Sequence, residues 1–314
     1  MNLNVRAAAG FDAVCADADR LRIAVDRRAD GSIVADFGIA AAGGLEAGRR
    51  LAEICLSGLG DVSILAPSPG VGPWPTVAVR TDHPVAACLA SQYAGWQVAV
   101  GKFFAMGSGP MRTAAGREPL FDDIALREEA PVVVGVLETR KLPSPEVVAE
   151  IATKCRVAAG AVRLAVAPTA SQAGTLQVVA RSVETALHKL HEWKFDVSRI
   201  VSAFGTAPLP PVAADDLAGI GRTNDAVLYG GDVTLWVRGD DASLEAVGPY
   251  VPSNSSADFG LPFAEIFARY DRDFYRIDPH LFSPAVVTLV NLDTGRSFRY
   301  GAVHPEVLQR SFSA

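Results

Sequence analysis

The sequence predicts an α/β to α+β protein with mixed sheets. Three observations carry that expectation. Short β-branched runs alternate with helix-like stretches along the 314 residues. One run, PVVVGVL at 131–137, is apolar without alternation, as in a strand covered on both faces. One stretch, 176–193, carries Leu176, Val179, Ala180, Val183, Leu187 and Leu190 at helical spacing.

Taken in order, 21–25 and 33–37 read as a hairpin joined through Arg27-Arg28-Ala29-Asp30-Gly31. A helix over 44–56 follows from apolar Leu45, Leu51, Ile54 and Cys55 set among charges. Strands are expected at 62–65 and 76–80, the second ended by His83-Pro84. The stretch 85–99 is rich in small residues and reads as a helix, then a strand. After the strand at 131–137, Ser144 and Pro145 form an N-cap and first-turn pair for a helix through Val157. A strand at 162–166 precedes the long helix at 176–193. The proline-rich APLPPVAA at 207–214 reads as a loop. Strands are expected at 227–236 and 285–292, the latter turning at Asp293-Thr294-Gly295 into 297–300.

Composition narrows the function classes. Hydrophobic residues make up 49% and charged residues 20%, ordinary for a globular chain. A net charge of −6 argues against nucleic acid as a partner, which calls for a basic footprint. Cys15, Cys55, Cys88 and Cys155 are far apart with no CxxC pair, so a structural zinc site is not expected. The N-terminus lacks a basic region followed by an apolar one, and no run of 18 apolar residues occurs. These point to a cytoplasmic protein with reduced thiols and no membrane partner.

The segment GKFFAMGSGPMRT at 101–113 concentrates glycines, two aromatics, Lys102 and Arg112. Its glycines allow a sharp turn or a close approach to a ligand. Pro110 after Gly109 is expected to keep the turn from entering a regular helix, so this is no dinucleotide fingerprint. It is no Walker A loop either, since no Gly-Lys-Ser/Thr follows. Gly107-Ser108-Gly109 also lacks the spacing of a serine-hydrolase elbow.

On the helix at 176–193, about 100° per residue puts Arg181, Glu184, His188 and His191 on one flank of the apolar stripe. Three readings compete. The first is a surface ion pair of Arg181 and Glu184, which contributes little. The second is a metal site, because Glu184, His188 and His191 offer three donors on one face. The third is a general base held by an arginine.

Further strings bear on the choice. They are Gly43-Gly44-Leu45-Glu46-Ala47-Gly48, the block 88–115, Val166-Ala167-Pro168-Thr169, Gly221-Arg222-Thr223-Asn224-Asp225, Asp273-Phe274-Tyr275-Arg276-Ile277-Asp278 and Leu281-Phe282-Ser283-Pro284. Together they resemble methenyltetrahydromethanopterin cyclohydrolases over nearly the full length. The resemblance implies two intertwined domains with a pocket between them, spread over an N-terminal region 1–170 and a C-terminal region 171–314. It implies hydrolysis of a cyclic C–N bond in 5,10-methenyl-tetrahydromethanopterin to the 5-formyl product, in one-carbon metabolism. Arg181-Ser182-Val183-Glu184 matches the family's Arg-x-x-Glu pair, which favours Glu184 as general base and Arg181 as its partner. Ser91, Gln92 and Tyr93 are implied at the reacting carbon or its water. Lys102 and Arg112 are expected at the substrate's acidic or polyhydroxylated tail, and Phe103 and Phe104 at a ring or in the core. No cofactor and no metal is expected; the partner is the pterin substrate, and the assembly a homotrimer. The alternatives are a metal-dependent amidohydrolase using Glu184, His188 and His191, and a non-catalytic pterin-binding protein.

Overall fold

A computed structural model describes residues 1–273 and 276–313. The chain opens with α1 (Leu3–Ala16), α2 (Ala18–Leu21), β1 (Ala24–Arg27), β2 (Ile33–Asp36) and α3 (Leu45–Cys55). Next come β3 (Gly60–Leu65), β4 (Thr76–Thr81), a π-helix (Val85–Gln92), β5 (Trp96–Val100) and β6 (Phe103–Ser108). Then follow α4 (Met111–Ala115), α5 (Leu120–Asp123), β7 (Val133–Glu138), α6 (Pro145–Cys155), β8 (Val162–Ala167) and α7 (Gln172–Val179). The remainder is α8 (Ser182–Glu192), β9 (Ile200–Pro208), α9 (Asp216–Gly230), β10 (Asp232–Val237), α10 (Asp241–Val247), α11 (Phe263–Arg269), β11 (Val286–Asn291), β12 (Ser297–Gly301) and α12 (Pro305–Ser313). These form two compact units: Met1–Gly60 with Ala86–Gln177, and Asp61–Val85 with Val178–Ala314.

The first unit is built on a six-stranded mixed sheet in the order β1-β2-β8-β7-β6-β5. Its middle is parallel, β2 on β8 and β8 on β7, and its flanks are antiparallel. The unbroken apolar run of β7 has the reason expected of it. Successive side chains of a strand point to opposite faces. Val134 and Val136, with Ala165 and Ala167 of β8, enter one core with Phe11 and Val14 of α1 and Leu51 and Ile54 of α3. Val133 and Leu137, with Leu164 and Val166, enter a second core with Met111 of α4 and Val148 and Ile151 of α6. The expected hairpin of β1 and β2 is present, although Leu21 ends α2 rather than opening the strand.

The second unit carries the other six-stranded sheet, β12-β11-β10-β9-β4-β3, also mixed, with β10 and β11 parallel. Its β10 strand alternates. In β10, Val233, Leu235 and Val237 are fully buried, while Asp232, Thr234 and Trp236 are only partly covered. Helix α8 packs on β9 and β10, and α9 packs with α11 and α12.

Four sequence expectations need correction. The stretch 227–236 was expected to be one strand; Val227–Gly230 instead finish α9, and the strand starts at Asp232. Its β-branched and aromatic residues hid a helix whose start is fixed by the Asp215 side chain, which accepts from the Ala218 N–H at 2.9 Å. Ala207 and Pro208 belong to β9 rather than to the loop, Ala207 pairing with Val77 of β4. Pro110 does not keep the turn out of a helix: it stands directly before α4 with φ −69°, the value a helix start accepts. The helix expected over 176–193 is two helices, broken at Ala180-Arg181. Of the string at 273–278, Phe274 and Tyr275 lie outside the described residues.

Candidate active site

In the first unit, Ser91 and Gln92 end the π-helix and Tyr93 follows it. The wide turn closes with Tyr93 N donating to Cys88 O at 2.9 Å, and Ala87 to Gln92 are all buried. Short π segments recur at functional sites because the extra residue per turn re-aims side chains. Ser91 is held twice: its hydroxyl donates to Ala86 O at 2.9 Å and lies 2.8 Å from the Ser57 hydroxyl. Gly109 N donates to Ser91 O at 2.8 Å. That approach needs glycine, because Gly109 has φ +87° and a Cβ there would stand 3.1 Å from Val134 O.

Lys102 is exposed at the tip of the two-residue turn between β5 and β6. Gly101 before it takes φ +57°, the position such a hairpin reserves for glycine. Phe103 is partly buried and Phe104 exposed. Arg112 is fully buried, with its guanidinium on Glu118 and on the carbonyls of Leu89 and Ala90.

In the second unit, Arg181 and Glu184 flank the start of α8. Arg181 N bonds back to Val178 O at 3.1 Å, tightening the end of α7, and Thr185 N then bonds to Arg181 O at 2.9 Å to open α8. The interruption forfeits a helical bond worth about 1 kcal/mol. Val183, Leu187 and Leu190 are each fully buried, which contributes roughly 1.5–3 kcal/mol apiece. Burial therefore decides that the helix resumes. Glu184 lies in the first turn, where the positive end of the helix dipole favours a carboxylate. Gly205 of β9 seats this turn: a Cβ there would lie 2.7 Å from Ser182 Oγ and 2.8 Å from Val183 Cγ2. Arg181 and Glu184 are 8% and 4% exposed, so this is not the solvated surface pair of the first reading.

The flank expected to hold four polar residues separates by depth. His188 and His191 are partly exposed and face Glu192, at 3.8 and 3.9 Å from its Oε1. Among the described residues, no group of three or more His, Cys, Asp and Glu side chains is placed to hold a metal ion. Cys15, Cys55, Cys88 and Cys155 are all free and buried.

Two ionisable groups escaped the sequence reading. Lys189, on the same helix as Glu184, is 1% exposed. Its ammonium donates to Ser255 Oγ at 3.1 Å and to His280 O. Burial pushes it down to about 8, opposed by Asp278. Its sequence context carries no signal of burial, because its acceptors Ser255 and His280 lie far along the chain. Asp225, noted only as part of a string, is fully buried in α9 and accepts the Phe263 N–H at 2.8 Å, fixing the start of α11. Burial pushes its carboxyl up to about 7, against the Ser311 hydroxyl and the Phe263 N–H.

A two-unit α/β protein that buries a carboxyl and a guanidinium at one helix start holds two groups that acid–base chemistry on a small molecule can use. Residues 2–312 match the family model described as Cyclohydrolase (MCH), and the chain belongs to that family. It is 51% identical over 302 residues to the methenyltetrahydromethanopterin cyclohydrolase of Xanthobacter autotrophicus, covering 96% of this chain and 89% of that one. The protein of the same name from Rhodopirellula baltica is 50% identical, over 90% of this chain and 86% of that one. The Methanosarcina barkeri protein, again of that name, is 43% identical over 90% of this chain and 89% of its own.

Proposed function

We propose that this chain hydrolyses the methenyl bridge of a tetrahydromethanopterin-type carrier to the formyl form, with Glu184 as general base and Arg181 as its partner. The observation that carries the reading is the burial of both groups at the first turn of α8, in a chain whose relatives carry that activity in their names.

The bridge carbon lies between two nitrogens that share a positive charge, so it is already electrophilic. Water adds to it, and Glu184 takes the water's proton. The neutral adduct then opens: one C–N bond breaks, the departing nitrogen receives the proton from Glu184, and the hydroxyl loses its own as the formyl C=O forms. The sum is cation plus water giving formyl product and one proton. Arg181 holds the carboxylate in line and meets charge developing on the oxygen. Ser91, Gln92 and Tyr93 are assigned to the water and the bridge, Ser91 and Gln92 by their capacity to orient water. Lys102, exposed on its hairpin, is assigned to the carrier's tail. The step calls on no metal or redox cofactor. Reversibility, a cytoplasmic location and a homotrimeric assembly belong to the same proposal.

The test follows near-ultraviolet absorbance of the methenyl carrier, because loss of the conjugated cation removes its band. Turnover by the purified protein that survives prolonged chelation supports the reading. Loss on chelation with recovery on added zinc would replace it with the metal-dependent alternative, and binding without turnover would replace it with the carrier-protein alternative.

A further inference from the structure

We propose that Arg112 and Glu118 are a positioning pair for Ser91, Gln92 and Tyr93, setting turnover through the backbone of the π-helix without touching the substrate. This rests on the assignment of residues 91–93 made above.

A helix leaves its last carbonyls without partners inside the helix, and they must be satisfied from outside. Here Arg112 Nη1 serves Leu89 O and Ala90 O, and Gly109 N serves Ser91 O. Arg112 Nη1 lies 3.0 Å from Leu89 O, 3.2 Å from Ala90 O and 3.5 Å from Ser91 O. The opposite edge of the guanidinium grips Glu118 in a fork, Nε to Oε1 at 2.8 Å and Nη2 to Oε2. Its Cζ also lies over two aromatic rings, 4.9 Å from the centre of Tyr93 and 5.2 Å from that of Phe121. With no exposed surface, Arg112 has no edge or face left for a bound molecule. Only an arginine offers this combination, a planar fork for the carboxylate with a donor left over for the carbonyls.

The surrounding sequence makes room for the clamp. A Cβ at Gly95 would overlap Glu118 Oε2 and stand 2.8 Å from the Tyr93 ring, so glycine at 95 lets the carboxylate reach the guanidinium beside Tyr93. Tyr93 is thus fixed from two sides, by stacking on Arg112 and by its own N–H on Cys88 O. Gln92 sits between two anchored residues. A shift of these carbonyls would move its amide, and misplacement of about 1 Å at a reacting centre lowers rates by roughly a hundredfold.

The test uses Glu118→Gln, which keeps the side chain's shape and one accepting oxygen, and Arg112→Lys, which keeps the charge and loses the fork. Each is expected to lower kcat about tenfold or more with KM held within about twofold. In a Gln92→Ala background, Glu118→Gln should add less than about a twofold further loss, because the pair acts through that residue. A raised KM with unchanged kcat would show direct binding of the substrate's tail and overturn the proposal. A loss that multiplies in full in the Gln92→Ala background, or no loss at all, would overturn it equally. Hydrogen exchange gives a readout that does not depend on turnover. The Tyr93 and Gly109 amides should exchange faster in Glu118→Gln than in the unaltered protein, with β7 unchanged. If the unaltered protein fails to turn over the methenyl carrier while these amides respond as expected, the functional assignment falls and the clamp stands. If the amides do not respond, the clamp falls.

Discussion

In the first unit β7 and β8 send alternate side chains into two separate cores, whereas in the second β10 buries only Val233, Leu235 and Val237. The two units also handle their buried arginines differently. Arg112 is held on every side by groups of its own unit, and its target is backbone. Arg181 stands at a helix break, three residues before a buried carboxylate. The difference teaches a division of labour. The first unit fixes a short segment by its carbonyls, and the second buries a guanidinium and a carboxyl where one helix stops and another starts.

The largest effect that would break this comparison is expected at Glu184. Glu184→Gln keeps shape and loses the proton acceptor, so kcat should fall by about 10²- to 10⁴-fold. The thermal midpoint should stay within a few degrees, since the side chain's volume is kept. Absorbance kinetics and a melting curve on one preparation check both. Turnover near normal would remove the charged pair from the mechanism and leave the division without its chemical half.

An intermediate effect should separate the units by their glycines. Gly205→Ala pushes on Ser182 and Val183, the turn that carries Glu184. Gly160→Ala in the first unit pushes on Asp30 O at 3.0 Å, in a turn far along the chain from 91–93. Both should cost about 1–3 kcal/mol of stability. Only Gly205→Ala should also lower kcat, by about tenfold. Equal loss of kcat in the two variants would show that activity follows stability alone.

The smallest effect concerns Asp225 and is one of stability only. Its folded value of about 7 lies above the unfolded value near 4, so the folded state binds the proton more tightly. That contribution is fully present below about pH 4 and is lost as pH rises toward 7, above which a charged carboxylate sits buried. Asp225→Asn should therefore gain a few degrees on the unaltered protein at pH 8 relative to their difference at pH 5, with kcat unchanged. Melting curves across that range check it; a difference independent of pH would mean that the carboxyl is ionised throughout.

Much of the first unit was legible because its signals are local. The run at 131–137 showed a doubly covered strand, and Ser144-Pro145 marked the start of α6. The strands at 285–292 and 297–300 and their turn were equally plain. In the second unit α9 was missed, because Val227, Leu228 and Tyr229 have the composition of a strand and only packing against α11 and α12 makes them helical. The N-terminal helix α1 left no reading at all in the sequence.

The sequence by itself determined the alternation of strands and helices, the β7 run and the residue types at 91–93, 181 and 184. Those rest on neighbours in the chain and on word-by-word likeness to a family. Tertiary structure alone decided where the helix at 176–193 breaks, that Arg112 is walled in, and that Lys189 is buried. Arg112 finds its carbonyls more than twenty residues back, at Leu89 and Ala90, and Lys189 finds its acceptors at Ser255 and His280. Periodicity reports which face of a helix is apolar. It carries no information on whether a distant segment arrives with the oxygen atoms that let a charged side chain leave water.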